Sequence, residues 1–152
     1  MNYLKRLKQS GEFEYSLGAN AEEIKHIEEE LGILLPEAYM DFLSECGSCN
    51  YGDVYINGIY KEKDSISYPV VELTKQLRED LHLSEDFIVL HYEVDEFLTL
   101  YKVSNKIRLK DAEVFEADVY YNDKGGFEID KPTPMFDSFE EYFEDFLDLA
   151  ED

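Results

Sequence analysis

The sequence predicts an α+β fold: a single domain over residues 1–152 with a mostly antiparallel β-sheet, flanked by N-terminal helices and a C-terminal helix. Three observations carry this. Apolar residues recur at helical spacing near the start of the chain and again at its end. Short alternating apolar runs fill the middle. Only one helical stretch interrupts those runs. At 152 residues the default is one domain, large enough to bury roughly two-thirds of its unfolded surface. The chain has no internal repeat, low-complexity segment or linker that would divide it.

Residues 1–19 read as a basic and polar lead-in, with a helical turn over 3–8. Asn20 with Glu23 three residues on makes a capping-box start, and Ile24, Ile27 and Leu31 follow at helical spacing. Gly32 suits the left-handed residue that closes a helix. Pro36 fits the first position of a second helix, whose apolar side is Tyr39, Met40, Phe42 and Leu43 and which Gly47 ends. Residues 51–60 alternate around Asn57-Gly58, a tight-turn dipeptide, and predict a hairpin there. Val70, Leu73 and Leu77 predict a helix over 70–80. Residues 87–91 and 97–103 read as strands joined by the acidic connection 93–96. Residues 107–109 and 114–115 are weaker strand candidates; 119–121 and 127–129 flank a turn at Asn122-Asp123-Lys124-Gly125-Gly126. Pro132 and Pro134 mark a loop. Ser138 and Glu141 open a last helix, with Phe139, Tyr142, Phe143, Phe146 and Leu147 as its buried stripe.

The two early helices form a helix–turn–helix in the generic sense. A DNA-reading version needs cations on its second helix. That helix carries Glu37, Asp41 and Glu45 and no base, which excludes DNA reading. The order of these pieces, an acidic helix ending in Leu31-Gly32, then Leu35-Pro36, a helix bearing Tyr39, Phe42 and Leu43, and a closing Gly47, resembles the SUKH superfamily of immunity and regulatory proteins. Ile24, Ile27 and Glu28 belong to the same pattern, and the segment SFEEYFEDFL is similar to the family's closing helix. The resemblance spans roughly residues 18–149. Cys46 departs from it, standing where a polar residue is expected before the glycine. The resemblance implies a SUKH-like fold and a non-enzymatic immunity protein, with a secreted antibacterial toxin, often a nuclease, as its partner.

The formal net charge is −22. Nucleic acid and anionic membrane are polyanions and are repelled by it, whereas a basic protein is attracted and meets the chain faster. No run of about 20 apolar residues is present, so a membrane span is not expected. The first residues hold basic side chains without the apolar stretch of a secretory signal, which points to the cytoplasm.

Cys46 and Cys49 form C-G-S-C. A redox pair of this spacing follows a strand and opens a helix, whereas this one leaves a helix for a loop. A zinc site needs two more soft ligands, and His26, His82 and His91 are scattered singly. Neither cofactor nor metal is therefore expected. Glu93, Asp95 and Glu96 fit an acidic protein-binding face, a metal or sugar-hydrolysis site, or a solvated loop. The acids Glu140, Glu141, Glu144, Asp145, Asp148, Glu151 and Asp152 read as a solvated helix face. Twelve tyrosines stand beside no tryptophan. Tyr51, Tyr55, Tyr60, Tyr92, Tyr101, Tyr120 and Tyr121 lie in or beside strands, where such rings also suit interfaces.

The partner-binding residues expected from this reading are Asp53, Tyr55, Glu93, Asp95 and Glu96. The expected function is neutralisation of a cognate toxin through its C-terminal nuclease domain, an acidic surface standing in for the polyanion that a basic nuclease site grips. The alternatives are a regulatory SUKH-like adaptor without a toxin and a metal-binding or hydrolytic protein using its carboxylates.

Overall fold

A computed structural model describes residues 1–151; Asp152, one of the C-terminal acids above, lies outside them. Helix α1 (Tyr3–Ser10) and strand β1 (Glu14–Tyr15) precede α2 (Ala21–Leu31) and α3 (Glu37–Cys46). Four short strands follow: β2 (Cys49–Tyr51), β3 (Val54–Ile56), β4 (Tyr60–Lys61) and β5 (Ile66–Ser67). After α4 (Pro69–Asp80) come β6 (Phe87–Glu93), β7 (Phe97–Lys102), β8 (Val114–Tyr121), β9 (Phe127–Ile129) and β10 (Thr133–Phe136). Helix α5 (Phe139–Leu147) and one 3-10 turn close the described chain. The main sheet has the order β10-β8-β7-β6, with β9 pairing β8; β1-β2-β3 form a second sheet and β4-β5 a third. The pairings between these strands are antiparallel.

The helix ends follow the local signals. Asn20 accepts from the Glu23 backbone at 2.9 Å and the Glu23 carboxylate accepts from the Asn20 backbone at 2.8 Å, a complete capping box. Gly32 closes α2 at φ 66°. Pro36 stands one residue earlier than expected, at the cap of α3. Ser138 caps α5, but Glu141 turns to the Asp137 backbone, so only half of the expected box forms.

Alternation along β6 sorts its side chains between two apolar clusters. Ile88 and Leu90 join the larger one with α1, α2, α3 and α5, and Val89 joins a smaller one with Leu77, Leu98 and Leu100. Helix α4 serves both, through Val70 and Val71 on one side and Leu77 on the other. The larger cluster is aromatic at its centre. Tyr3 meets Phe143 at 4.9 Å between ring centroids, and Phe139 meets both Tyr39 and Tyr101 at 5.5 Å. Edge-to-face rings add to their area burial. Asp111 anchors α5 against this cluster: it accepts from the Tyr101 hydroxyl at 2.7 Å, from the Ala112 backbone at 2.6 Å and from the Phe139 backbone at 2.8 Å.

One expectation is extended and three are corrected. First, the helical turn expected over 3–8 is the eight-residue helix α1, capped by Asn2, with Tyr3 and Leu7 fully buried, because an amphipathic turn beside an aromatic core gains by packing on it. The early hairpin turns at Gly52-Asp53, where Tyr51 pairs Val54, and not at Asn57-Gly58. Asn57 is instead buried and bonded. Its backbone N–H donates to Leu90 at 2.7 Å, its side chain donates to the Val89 carbonyl at 3.1 Å, and its own carbonyl accepts from the Tyr39 hydroxyl at 2.6 Å. Gly58 follows because the chain there presses on the end of α3: a Cβ would stand 2.0 Å from the Gly47 carbonyl oxygen. Third, residues 107–109 form no strand, while 114–115 and 119–121 are two ends of the single strand β8. Fourth, the Pro134 segment is strand β10. It pairs only β8, and an edge position tolerates proline's missing N–H.

Candidate functional site

The sheets of β3 and β6 meet at a joint built from Tyr55, His91 and Glu93. The Tyr55 hydroxyl reaches the backbone of β6, accepting from the Tyr92 N–H at 3.1 Å and donating to the Tyr92 carbonyl at 3.3 Å. Burial pushes the Tyr55 phenol above its ordinary value, with the Glu93 charge adding to that. The His91 ring is buried beside Tyr55, 4.4 Å between centroids. Its Nδ1 lies 3.2 Å from the Tyr55 carbonyl and its Nε2 lies 3.2 Å from a Glu93 carboxylate oxygen. The hairpin is thus held to β6 by these side chains and by the single backbone bond from Asn57 to Leu90, and not by a strand ladder. The variant Tyr55→Phe is expected to lose about 1–2 kcal/mol in chemical denaturation, since it leaves a half-buried Tyr92 N–H unpaired. Unchanged stability would mean that the joint does not depend on that hydroxyl.

Asp53 sits in the turn before Tyr55, and both line a cleft of about 440 Å³ with Tyr60, Pro69 and Leu73. Asp95 lines a neighbouring cleft of about 460 Å³ with Leu73, Asp80, Val94 and Phe127. Asp95 lies at φ 64° in the β6–β7 turn, closed by the Glu96 N–H donating to the Glu93 carbonyl at 2.9 Å. A short polar side chain tolerates that conformation. Glu96 is exposed but lines neither cleft, and Glu93 faces His91. Of the five residues, Asp53, Tyr55 and Asp95 line the clefts, Tyr55 and Glu93 take part in the joint, and Glu96 lies outside both.

Leu73 is shared by the two clefts, whereas its helical spacing in the sequence marked only the presence of a helix. Asp80, Val94 and Phe127 had no local signal, because they come together only through the packing of α4 against the sheet. Of the tyrosines, Tyr101 is fully buried on Asp111, whereas Tyr60 and Tyr121 are 54% and 65% exposed.

Cys46 and Cys49 are buried free thiols. Burial, with the Glu45 charge, pushes Cys46 up to about 12, and burial and Cys46 push Cys49 up as well. Both therefore favour the thiol over the reactive thiolate. Among the described residues no group of three or more His, Cys, Asp or Glu is arranged to hold a metal ion. No helix among them is long and apolar enough to cross a membrane.

Residues 2–148 match the family described as SMI1-KNR4 cell-wall, a SUKH group. The chain belongs to the SUKH superfamily. The match takes in α1 and all of α5, so it extends over the lead-in segment. Membership is consistent with an immunity-protein family whose members are generally non-enzymatic and bind a toxin partner. No curated protein matches the chain.

Proposed function

We propose that this SUKH protein is an immunity protein that binds a cognate secreted antibacterial toxin in the cytoplasm of the producing cell and neutralises it. The toxin domain is a C-terminal nuclease, and the system belongs to polymorphic-toxin competition between bacteria. The observation that carries the reading is the surface on which Asp53, Tyr55 and Asp95 converge, acidic at its margin and lined by tyrosine and leucine, on a chain of net charge −22. Nuclease sites are basic because they hold phosphates. A carboxylate-rimmed face with aromatic anchors is complementary to such a site, both in steering the encounter and in the contact itself.

The test is co-expression with the toxin domain encoded beside it. The expected result is rescued growth and a complex that co-purifies; neither rescue nor co-purification would end the immunity reading. In that complex, replacing Glu93, Asp95 and Glu96 together by alanine is expected to weaken binding about tenfold at low salt and less at high salt, as for rim charges. Equal affinity at low salt would remove the β6–β7 turn from the interface.

A further inference from the structure

We infer that the two clefts form one groove along α4, and that this groove seats a short extended segment of a basic partner, an apolar side chain flanked by lysine or arginine. The inference rests on the partner-binding reading above and adds to it the seat and its contact chemistry.

Continuity is the first ground. Leu73 lines both clefts, and the Tyr55 hydroxyl on Tyr92 fastens the wall of one to the wall of the other. Helix α4 forms one side from Pro69 to Asp80, eleven steps of 1.5 Å, or about 16 Å. At about 3.3 Å per residue an extended peptide covers that length with roughly five residues.

Chemistry is the second ground. On this highly charged chain, Val94 is 66% exposed and Phe127 40%, and both line the groove, with Tyr60 exposed at its other end. The Tyr121 ring stands 5.2 Å from Phe127 and extends that apolar end. Exposed apolar side chains gathered in this way mark a contact surface. Asp53 stands at one end and Asp80 and Asp95 at the other, while no lysine or arginine lines either cleft. A second copy of this chain would bring another −22 charge and is repelled, and nucleic acid is repelled for the same reason. A segment that offers an apolar side chain to Leu73 and cations to the carboxylates satisfies both halves of the lining.

The preformed joint is the third ground. Tyr55, His91 and Asn57 already fix the hairpin wall, so little ordering is left to be done on binding.

The experiment selects a random dodecapeptide phage library on the immobilised protein and measures the enriched peptides by fluorescence polarisation. The expected peptides carry an aromatic or aliphatic residue beside lysine or arginine. They bind at least tenfold more weakly to Leu73→Arg and to the surface double variant Asp53→Lys/Asp80→Lys. The control Glu12→Lys/Asp145→Lys makes the same change in formal charge at exposed positions outside the groove, and is expected to retain binding. Thermal unfolding of each variant checks folding, and the surface pair keeps the test valid if Leu73→Arg is unstable. Failure to enrich any sequence, peptides without basic residues, or equal weakening in groove and control variants overturns the inference. Enrichment without rescue of growth from the toxin would retire the immunity reading and leave the groove standing.

Discussion

The variant Gly58→Ala is expected to lose about 3 kcal/mol or more of stability in urea unfolding. The Cβ would stand 2.0 Å from the Gly47 carbonyl oxygen and 2.9 Å from a Leu43 methyl. The leucine can turn aside; the carbonyl cannot. It already accepts from the Ile59 N–H at 2.9 Å, and the Gly58 carbonyl accepts from Val70 at 3.0 Å. Relieving the clash therefore pulls the chain away from α3 and loosens the start of α4. Gly32→Ala is the informative comparison. Its φ of 66° disfavours alanine, but nothing lies within 4 Å of the added atom, so a loss of about 1–2 kcal/mol is expected. If Gly58→Ala were no worse than Gly32→Ala, the close crossing at the end of α3 would be disproved.

The second large effect is expected at Asp111. Asp111→Ala removes the acceptor of the Tyr101 hydroxyl, of the Phe139 N–H at the start of α5 and of the Ala112 N–H. Tyr101 is fully buried, so its hydroxyl is left without a partner among aromatic rings. Charged hydrogen bonds of this kind contribute about 1.5–3 kcal/mol each, not additively, so a loss of about 3–4 kcal/mol is expected. For a chain of this size that lowers the melting temperature by roughly 10 °C. The double variant Tyr101→Phe/Asp111→Ala should lose less than the two single variants combined, since it strands no phenol. Strict additivity would argue against the shared bond.

What was legible in the sequence was local. Asn20 with Glu23, Gly32, and the aromatic stripe from Phe139 to Leu147 each act within a few residues, and each stands where the pattern put it. The failures have tertiary causes. Asn57-Gly58 has the composition of a hairpin turn, yet the fold needs that asparagine inside to bond β6 and that glycine against α3. The turn falls to Gly52-Asp53, itself a hairpin dipeptide. Pro134 reads as a breaker, because nothing nearby in the chain reveals that its strand has a partner on one side only. The candidate surface divides in the same way. Asp53, Tyr55 and Asp95 were visible as charged or aromatic residues beside predicted strands. Leu73 was not, because a residue at helical spacing looks the same whether it faces a core or the floor of a groove.

The outer margin of β6 has one more consequence. Its Val89 N–H donates to the Thr74 hydroxyl at 3.1 Å, the Val89 and Leu90 carbonyls accept from Asn57, and both backbone groups of Tyr92 are taken by Tyr55. A row of free amides at such a margin would template an incoming strand, from a damaged neighbour as readily as from a true partner. Here the row is occupied by side chains of the same molecule and by the Asn57 backbone N–H, and on the far margin proline interrupts it. The two margins of the main sheet therefore offer a second copy no continuous ladder along which to aggregate.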